Sequence, residues 1–243
     1  MAPSRRPLHK LVSVLHPDLD AVTTIEGGNV RVNGAVITNP ASLARADDSI
    51  VVTSERRLKG QDKLGSGLDK LGIESFDGHV GLDIGACTGG FTKALLERGA
   101  AKVYAVDVGH GQLLGSLRQD PRVVNLERVN ASELTTQHVD QPVDVIVVDV
   151  SYSPLRAILG DVTSSVDLQP QAKLVGLVKP MFELQSASLP TSQTDLARSV
   201  ESARAAAVGA GWTVIEIIES PLRGNNGAIE YFLYGVMSEP ADS

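Results

Sequence analysis

Residues 80–92 read Val-Gly-Leu-Asp-Ile-Gly-Ala-Cys-Thr-Gly-Gly-Phe-Thr, and the organisation of the chain turns on this stretch. A short apolar run containing Asp83 passes through glycines at 85, 89 and 90 and opens onto Phe91, Ala94 and Leu95 at helical spacing. That pattern is a strand, a tight turn and a helix N-terminus. Glycines in such a turn let the backbone approach a ligand, and the unpaired N–H groups of the helix start favour polar or negative ligand groups. The dinucleotide fingerprint G-x-G-x-x-G does not fit, because Cys87 occupies its middle glycine position. Cys87 itself reads as a small packing residue within the turn.

Outward from this stretch, 243 residues suit one good-sized domain with a small appendage. A hydrophobic content of 42% can fill a core, and 21% charged residues is ordinary for a soluble protein. No apolar run approaches the roughly 18 residues of a membrane-spanning helix. Arg5 and Arg6 are not followed by an apolar core, so no export signal is expected. The single cysteine excludes an intramolecular disulfide and a cysteine-based zinc site, and fits a cytoplasmic setting; no metal is expected. The formal net charge of -7 is uneven: residues 1–60 carry eight Lys/Arg and six Asp/Glu, whereas the remainder carries fourteen and twenty-three. A polyanion would meet the N-terminal part first.

Residues 1–53 read as a small module. Leu8–Leu15 is amphipathic and stops at His16-Pro17; a turn at Gly27-Gly28 leads into a Val30–Val32 strand. Asn33-Gly34 is a hairpin signal, Ala35–Thr38 the return strand, and Ser49–Thr53 a last strand. Residues 54–62, polar and basic, are expected to be a linker in which Arg56, Arg57 and Lys59 are either solvated charges or an extension of the basic surface toward RNA phosphates.

From 63 to 243, strands alternate with helices. Strands are expected at 79–83, 102–107, 122–126, 144–149, 173–178, 213–218 and 228–236, with helices near 91–98, 112–118, 155–162 and 194–210. Such alternation predicts an α/β fold, a parallel sheet wrapped by helices, closed by an antiparallel hairpin because no helix separates the last two strands. Ligands of open α/β sheets bind beyond the carboxyl ends of the strands. Asp83 and the glycine loop end the first strand. Asp107 ends the second, where a carboxylate can accept from both hydroxyls of a ribose, and Asn130 follows the third, within reach of an adenine edge. Asp149 ends the fourth strand and Lys179 the fifth, while Glu230 lies in the last. Two acids and a lysine on one sheet edge exceed what chance placement of solvated charges provides.

The order Asp-x-Gly-x-x-x-Gly-Gly is that of the glycine loop of S-adenosylmethionine-dependent methyltransferases. The resemblance extends further. Leu-Asp-Ile-Gly-Ala-x-Thr-Gly-Gly-Phe-Thr, Val-Asp-Val-Gly-x-Gly-Gln-Leu, Leu-Glu-Arg-x-Asn-Ala, Asp-Val-Ser-Tyr, Leu-Val-Lys-Pro-x-Phe-Glu and Gly-x-Ile-Glu-Tyr-Phe-Leu occur in that order and are similar to the blocks of the TlyA (haemolysin A) family, a branch of the FtsJ-like ribosomal RNA 2′-O-methyltransferases. Residues 26–52 resemble the small RNA-binding domain shared by a small-subunit ribosomal protein, pseudouridine synthases and tyrosyl-tRNA synthetases. The resemblance implies a Rossmann-like methyltransferase sheet behind a small N-terminal α+β RNA-binding domain, with ribosomal RNA or a ribosomal subunit as partner. It implies that Asp83, Gly85, Ala86, Thr88, Gly89, Gly90, Phe91, Asp107, Asn130 and Asp149 bind the cofactor, and that Lys63, Asp149, Lys179 and Glu230 form a catalytic tetrad. Lys70 is the alternative to Lys63, because Gly65, Ser66 and Gly67 loosen the expected helix. Two other readings stay open: a divergent member acting on another RNA or a small hydroxylated molecule, and a haemolysin-like, non-enzymatic role.

Overall fold

The computed structural model describes residues 5–52 and 57–238. Arg56 and the rest of 53–56 lie outside the described residues, as does the tail beyond 238. The chain divides into two units, residues 1–58 with 113–120, and residues 59–112 with 121–243.

In the first unit β1 (Arg6–Pro7) precedes α1 (Leu8–Leu15) and α2 (Ala21–Glu26), followed by β2 (Val30–Val32), β3 (Ala35–Val36), β4 (Leu43–Ala44) and β5 (Ile50–Val52). Leu8, Leu11 and Val12 lie on one face of α1 and are buried with Ala21, Ile25, Val30 and Ala44. Asp20 caps α2 by accepting from the N–H groups of Val22 and Thr23. The expected hairpin turn is present: Asn33 and Gly34 both have positive φ, 50° and 85°, as a two-residue type I′ turn requires. The antiparallel order is β3-β2-β5, and β1 pairs with β4.

The second unit opens with α3 (Lys59–Lys70), then β6 (Val80–Ile84), α4 (Gly90–Glu97) and β7 (Lys102–Asp107). After α5 (Gly115–Gln119), which groups with the first unit, come β8 (Val123–Glu127), β9 (Val143–Val148), α6 (Leu159–Ser165), β10 (Leu168–Val178), α7 (Pro180–Glu183), α8 (Gln193–Gly209), β11 (Trp212–Glu219) and β12 (Tyr231–Met237). Seven strands form one sheet in the order β11-β12-β10-β9-β6-β7-β8. The central strands are mostly apolar, as strands covered on both faces are; Leu82, Ile84, Ile146, Val148, Leu174 and Val178 are all buried in one core cluster. Strand order reverses between β6 and β9, the switch point at which open α/β sheets hold their ligands.

The last hairpin is present but arranged so that β12 lies between β10 and β11, antiparallel to both. An antiparallel strand brings its N-terminal end to the carboxyl edge of the parallel ones. Val178 pairs with Tyr231, so Lys179 and Glu230 emerge side by side. Glu230 therefore stands just before its strand rather than within it.

The expected linker needs a second correction. Residues 59–62 are the first turn of α3, a continuous helix through Gly65, Ser66 and Gly67. Leu64 and Leu68, one turn apart, are fully buried and anchor it. The glycines serve close approach: a Cβ on Gly67 would sit 2.9 Å from Cζ of Phe232, and one on Gly60 3.3 Å from Cα of Gly90. Arg98 fixes the other end, donating to the carbonyls of Ile73 and Gly65 and to Asp69.

Candidate active site

Across the carboxyl edge of the sheet, neighbouring strands deliver Glu230, Lys179, Asp149, Gly85 and Asp107 in that spatial order, each about one strand spacing, ~4.8 Å, from the next. Lys179 Nζ lies 2.6 Å from Asp149 Oδ1 and 3.3 Å from Ser151 Oγ. Lys63, on α3, pairs with Glu230. Lys70, the alternative, instead donates to the carbonyl of Glu219 at 3.1 Å. A Cβ on Gly224 would meet the Glu230 carboxylate carbon at 2.6 Å, so this glycine leaves room for the ion pair.

Two cavities adjoin this row. One of about 580 Å³ is lined by Lys59, Lys63, Gly85, Ala86, Thr88, Gly90, Phe91, Asp149, Lys179, Arg223 and Glu230. The other, of about 640 Å³, takes in Gly85, Asp107, Gln112, Asn130, Asp149 and the apolar Val129, Ala131, Val150 and Ile158. The carboxylate of Asp107 is already fixed: Oδ2 accepts from the N–H of Cys87 at 2.8 Å and Oδ1 from that of Gly109 at 2.6 Å. Each oxygen keeps a further lone pair for a ligand hydroxyl. Asn130 caps the turn at Ala131–Glu133 through its side-chain oxygen, 3.2 Å from the N–H of Ser132, so its amide nitrogen is the group it has left for a ring edge. Carboxylate, amide and apolar walls beside a glycine loop suit an adenosyl group.

Cys87 differs from expectation. It is exposed, has a φ of +49°, and its thiol donates to Gln112 Oε1 at 3.2 Å; it shapes the rim of the loop and does not pack beneath it. The residue beneath the loop is Asp83, fully buried. Its Oδ2 accepts from Thr92 Oγ1 at 2.6 Å, its Oδ1 has no partner, and it lines neither cavity described above. It ties the end of β6 to α4. Burial, with the charges of Asp149 and Asp107 against the help of Thr92, pushes its carboxyl from 3.8 up to about 7. The native state thus holds a proton that the unfolded chain has lost between those two values, and stability falls as pH rises through that window, by at most about 1.4 kcal/mol per unit. Denaturant titrations at pH 5 and pH 8 are expected to show this loss in the wild type and its disappearance in Asp83→Asn.

One exposed residue of the site was given no role by the sequence reading. Tyr152 is 89% exposed with a φ of +70°, and its ring lies 5.5 Å from that of Phe182. With Met181, Leu189 and Pro190 they border a third cavity, of about 230 Å³, reaching Lys179 and Glu230. A left-handed conformation is costly for a bulky side chain and persists only where the surrounding chain fixes it. The only sequence signal was an aromatic three residues past a strand-end acid.

The match to the FtsJ-like methyltransferase model runs over residues 57–236, the full span of this sheet and its row of strand-end residues. The chain belongs to the FtsJ-like methyltransferase family. It is an S-adenosylmethionine-dependent methyltransferase. Within the family it is 39% identical over 223 residues to the 16S/23S rRNA (cytidine-2′-O)-methyltransferase TlyA of Mycobacterium tuberculosis, covering 88% of this chain and 82% of that protein. It is 34% identical to Hemolysin A of Brachyspira hyodysenteriae, covering 88% and 91%. A solved hemolysin-named protein from Streptococcus thermophilus matches with a TM-score of 0.70 at 28% identity, covering 98% of this chain and 90% of that one.

Proposed function

We propose that this chain methylates ribose 2′-hydroxyls of ribosomal RNA, with Lys179, Asp149, Lys63 and Glu230 as its catalytic group. The observation that carries the reading is the pairing of Lys179 with Asp149 and of Lys63, on α3, with Glu230 at one edge of the sheet, where Asp149 also lines the adenosyl-type cavity. The kinship with a cytidine-2′-O-methyltransferase supports the nature of the acceptor. S-adenosylmethionine supplies, when bound, an electrophilic methyl group on a sulfonium. Gly85, Ala86, Thr88, Gly89, Gly90 and Phe91 would form its cradle, Asp107 would take the ribose hydroxyls, and Asn130 would meet the adenine edge, with Asp83 holding the cradle from below through Thr92.

A 2′-hydroxyl is a weak nucleophile until its proton is taken or shared. In this reading the Lys179 amine is the group that takes or shares that proton. Asp149 holds the Lys179 amine toward the acceptor oxygen and stabilises the ammonium that forms. Lys63 and Glu230 orient the target ribose. The aromatic pair Tyr152 and Phe182 offers a stacking face for a base splayed out of the RNA, the manner in which single-stranded RNA is read. Much of the rate then comes from holding the hydroxyl in line with the methyl carbon.

In the same proposal the N-terminal module, residues 1–53, is the RNA-binding domain, and residues 59–243, opening with α3, the methyltransferase domain. Arg56, Arg57 and Lys59 extend the basic surface where the two meet in sequence, and Arg223 adds charge at the cavity mouth. A ribosomal substrate makes the working compartment the cytoplasm. No helix among the described residues is long and apolar enough to cross a membrane.

The test is transfer of tritiated methyl from S-adenosylmethionine to ribosomal subunits, naked ribosomal RNA and free nucleosides at two salt concentrations. Incorporation into ribosomal RNA that falls steeply with salt is expected, since each neutralised phosphate adds to the salt dependence. Cofactor binding with no transfer to any RNA, or transfer to nucleosides alone, would overturn the RNA assignment.

A further inference from the structure

Glu183 is 4% exposed and lines none of the three cavities, yet it joins the two strand ends that carry the chemistry. It stands one helical turn beyond Lys179, and its N–H donates to the Lys179 carbonyl at 3.0 Å. Its side chain reaches across to the segment that follows Asp149. There Oε1 accepts from the buried N–H of Leu155 at 2.7 Å, while Oε2 accepts from Ser202 Oγ of α8 at 3.3 Å. Arg156 reinforces the junction by donating to the Glu183 carbonyl at 2.8 Å.

The clamp is needed because of the chain it restrains. Residues 149–155 are held at one end by the Asp149 N–H on the Ile84 carbonyl, 2.9 Å. At the other end Leu155 is buried, its Cδ1 at 3.1 Å from where a Cβ on Gly176 would lie. Between them lies Tyr152 at φ +70°, a backbone state that relaxes unless its flanks are fixed. A buried carboxylate set on a backbone N–H is a strong, directional restraint. Loss of it would free the segment that carries Asp149 and Ser151, the two side chains that hold Lys179 Nζ.

We propose that Glu183 is a positioning residue for methyl transfer: it holds the Asp149 and Lys179 segments in register without touching substrate or cofactor. The inference rests on the assignment of Lys179 and Asp149 to the reaction, so its test reads the geometry of Lys179 without needing turnover. An amine pinned against a carboxylate, its side chain 15% exposed, is shielded from acylating reagents. Acetylation of each lysine in the full-length protein by an N-hydroxysuccinimide ester, followed by mass spectrometry, reports that shielding.

In Glu183→Ala the Lys179 acetylation rate is expected to rise by roughly tenfold, the population change that one lost buried hydrogen bond allows, while Lys63 stays at its wild-type rate. Glu183→Gln keeps an acceptor for Leu155 and is expected to remain within about threefold of wild type, because the bond and not the charge sets the register. In the methyl-transfer assay kcat of the alanine variant should fall with the KM for RNA unchanged. Unchanged Lys179 acetylation in folded Glu183→Ala would overturn the proposal, whatever happens to kcat. So would a glutamine variant as reactive as the alanine one. If the alanine variant does not fold, Glu183→Asp decides, since its carboxylate is drawn back by one methylene: raised Lys179 acetylation supports the clamp and wild-type acetylation overturns it. Absence of wild-type transfer to any RNA would instead overturn the functional reading and leave the acetylation result standing.

Discussion

Lys179→Ala is expected to lower methyl transfer to ribosomal RNA by roughly a thousandfold, the combined scale of lost general-base catalysis and lost alignment of the reacting groups. S-adenosylmethionine affinity should stay within about threefold, because a side chain that acts on the acceptor hydroxyl contributes to the transition state and little to cofactor binding. Lys179→Arg separates the two roles the residue could have. Arginine keeps the positive charge and can pair with Asp149, but it does not give up its proton at working pH. If Lys179 takes the hydroxyl proton, arginine is nearly as defective as alanine. Substantial turnover in Lys179→Arg would mean that the residue only orients the acceptor, and near-wild-type turnover in Lys179→Ala would remove it from the chemistry. Single-turnover rates with saturating RNA, alongside cofactor titration by calorimetry, supply both readings.

Much of the methyltransferase unit was legible because its strands are buried on both faces. Runs such as Val145–Val148 have no polar residue to confuse with a helix face, and the polar residue that ends each run is then visible as a functional candidate. Glycine was harder to read. Gly65 and Gly67 signalled flexibility in sequence, but Gly67 is a site where another element, through Phe232, comes too near for a Cβ. Propensity describes an isolated helix, whereas α3 is held by the burial of Leu64 and Leu68 and by Arg98. β10 begins at Leu168, earlier than the expected 173, because Leu168 pairs with Val143 of β9 across an irregularity before the register resumes at Lys173. Tyr152 and Glu183 stayed silent for a related reason. One is an exposed aromatic and the other a buried acid; both stand in blocks that carry the resemblance, Asp-Val-Ser-Tyr and Leu-Val-Lys-Pro-x-Phe-Glu, but what each does shows only in what the fold brings next to it.

The row of strand ends also shows how cofactor and catalytic residues depend on one another. Gly85 and Asp149 leave adjacent parallel strands, with the Asp149 N–H on the Ile84 carbonyl at 2.9 Å. The glycine loop and the acid that holds Lys179 are therefore parts of one backbone junction. A disturbance of either is felt by both.

Gly85→Ala is the substitution that exposes this dependence, and its expected effect is the second largest. Gly85 has a φ of +87°, where an L side chain costs about 1–2 kcal/mol. The larger obstacle is space: a Cβ there would lie 2.9 Å from the Asp149 carbonyl carbon, nearer still to its oxygen, and 3.2 Å from Val150 Cγ1. Two relaxations are open. The glycine loop can back away, which opens the cradle and moves the N–H of Cys87 off Asp107. Alternatively the Asp149 peptide can shift, which strains its bond to Ile84 and draws the carboxylate from Lys179. The first weakens cofactor binding and the second slows transfer, so cofactor affinity is expected to fall by roughly a hundredfold or single-turnover transfer by a similar factor, the cost of losing about two directed interactions. Gly78→Ala is the control, since Gly78 shares the left-handed conformation at φ +74° but has nothing within 4 Å of its would-be Cβ. It should lose only the stability that the backbone strain takes, with binding and transfer intact. If Gly85→Ala behaved like Gly78→Ala in calorimetry and single-turnover assays, loop and acid would be independent, and the Asp149–Lys179 pair would have to be held from the other side alone, by the clamp at Glu183.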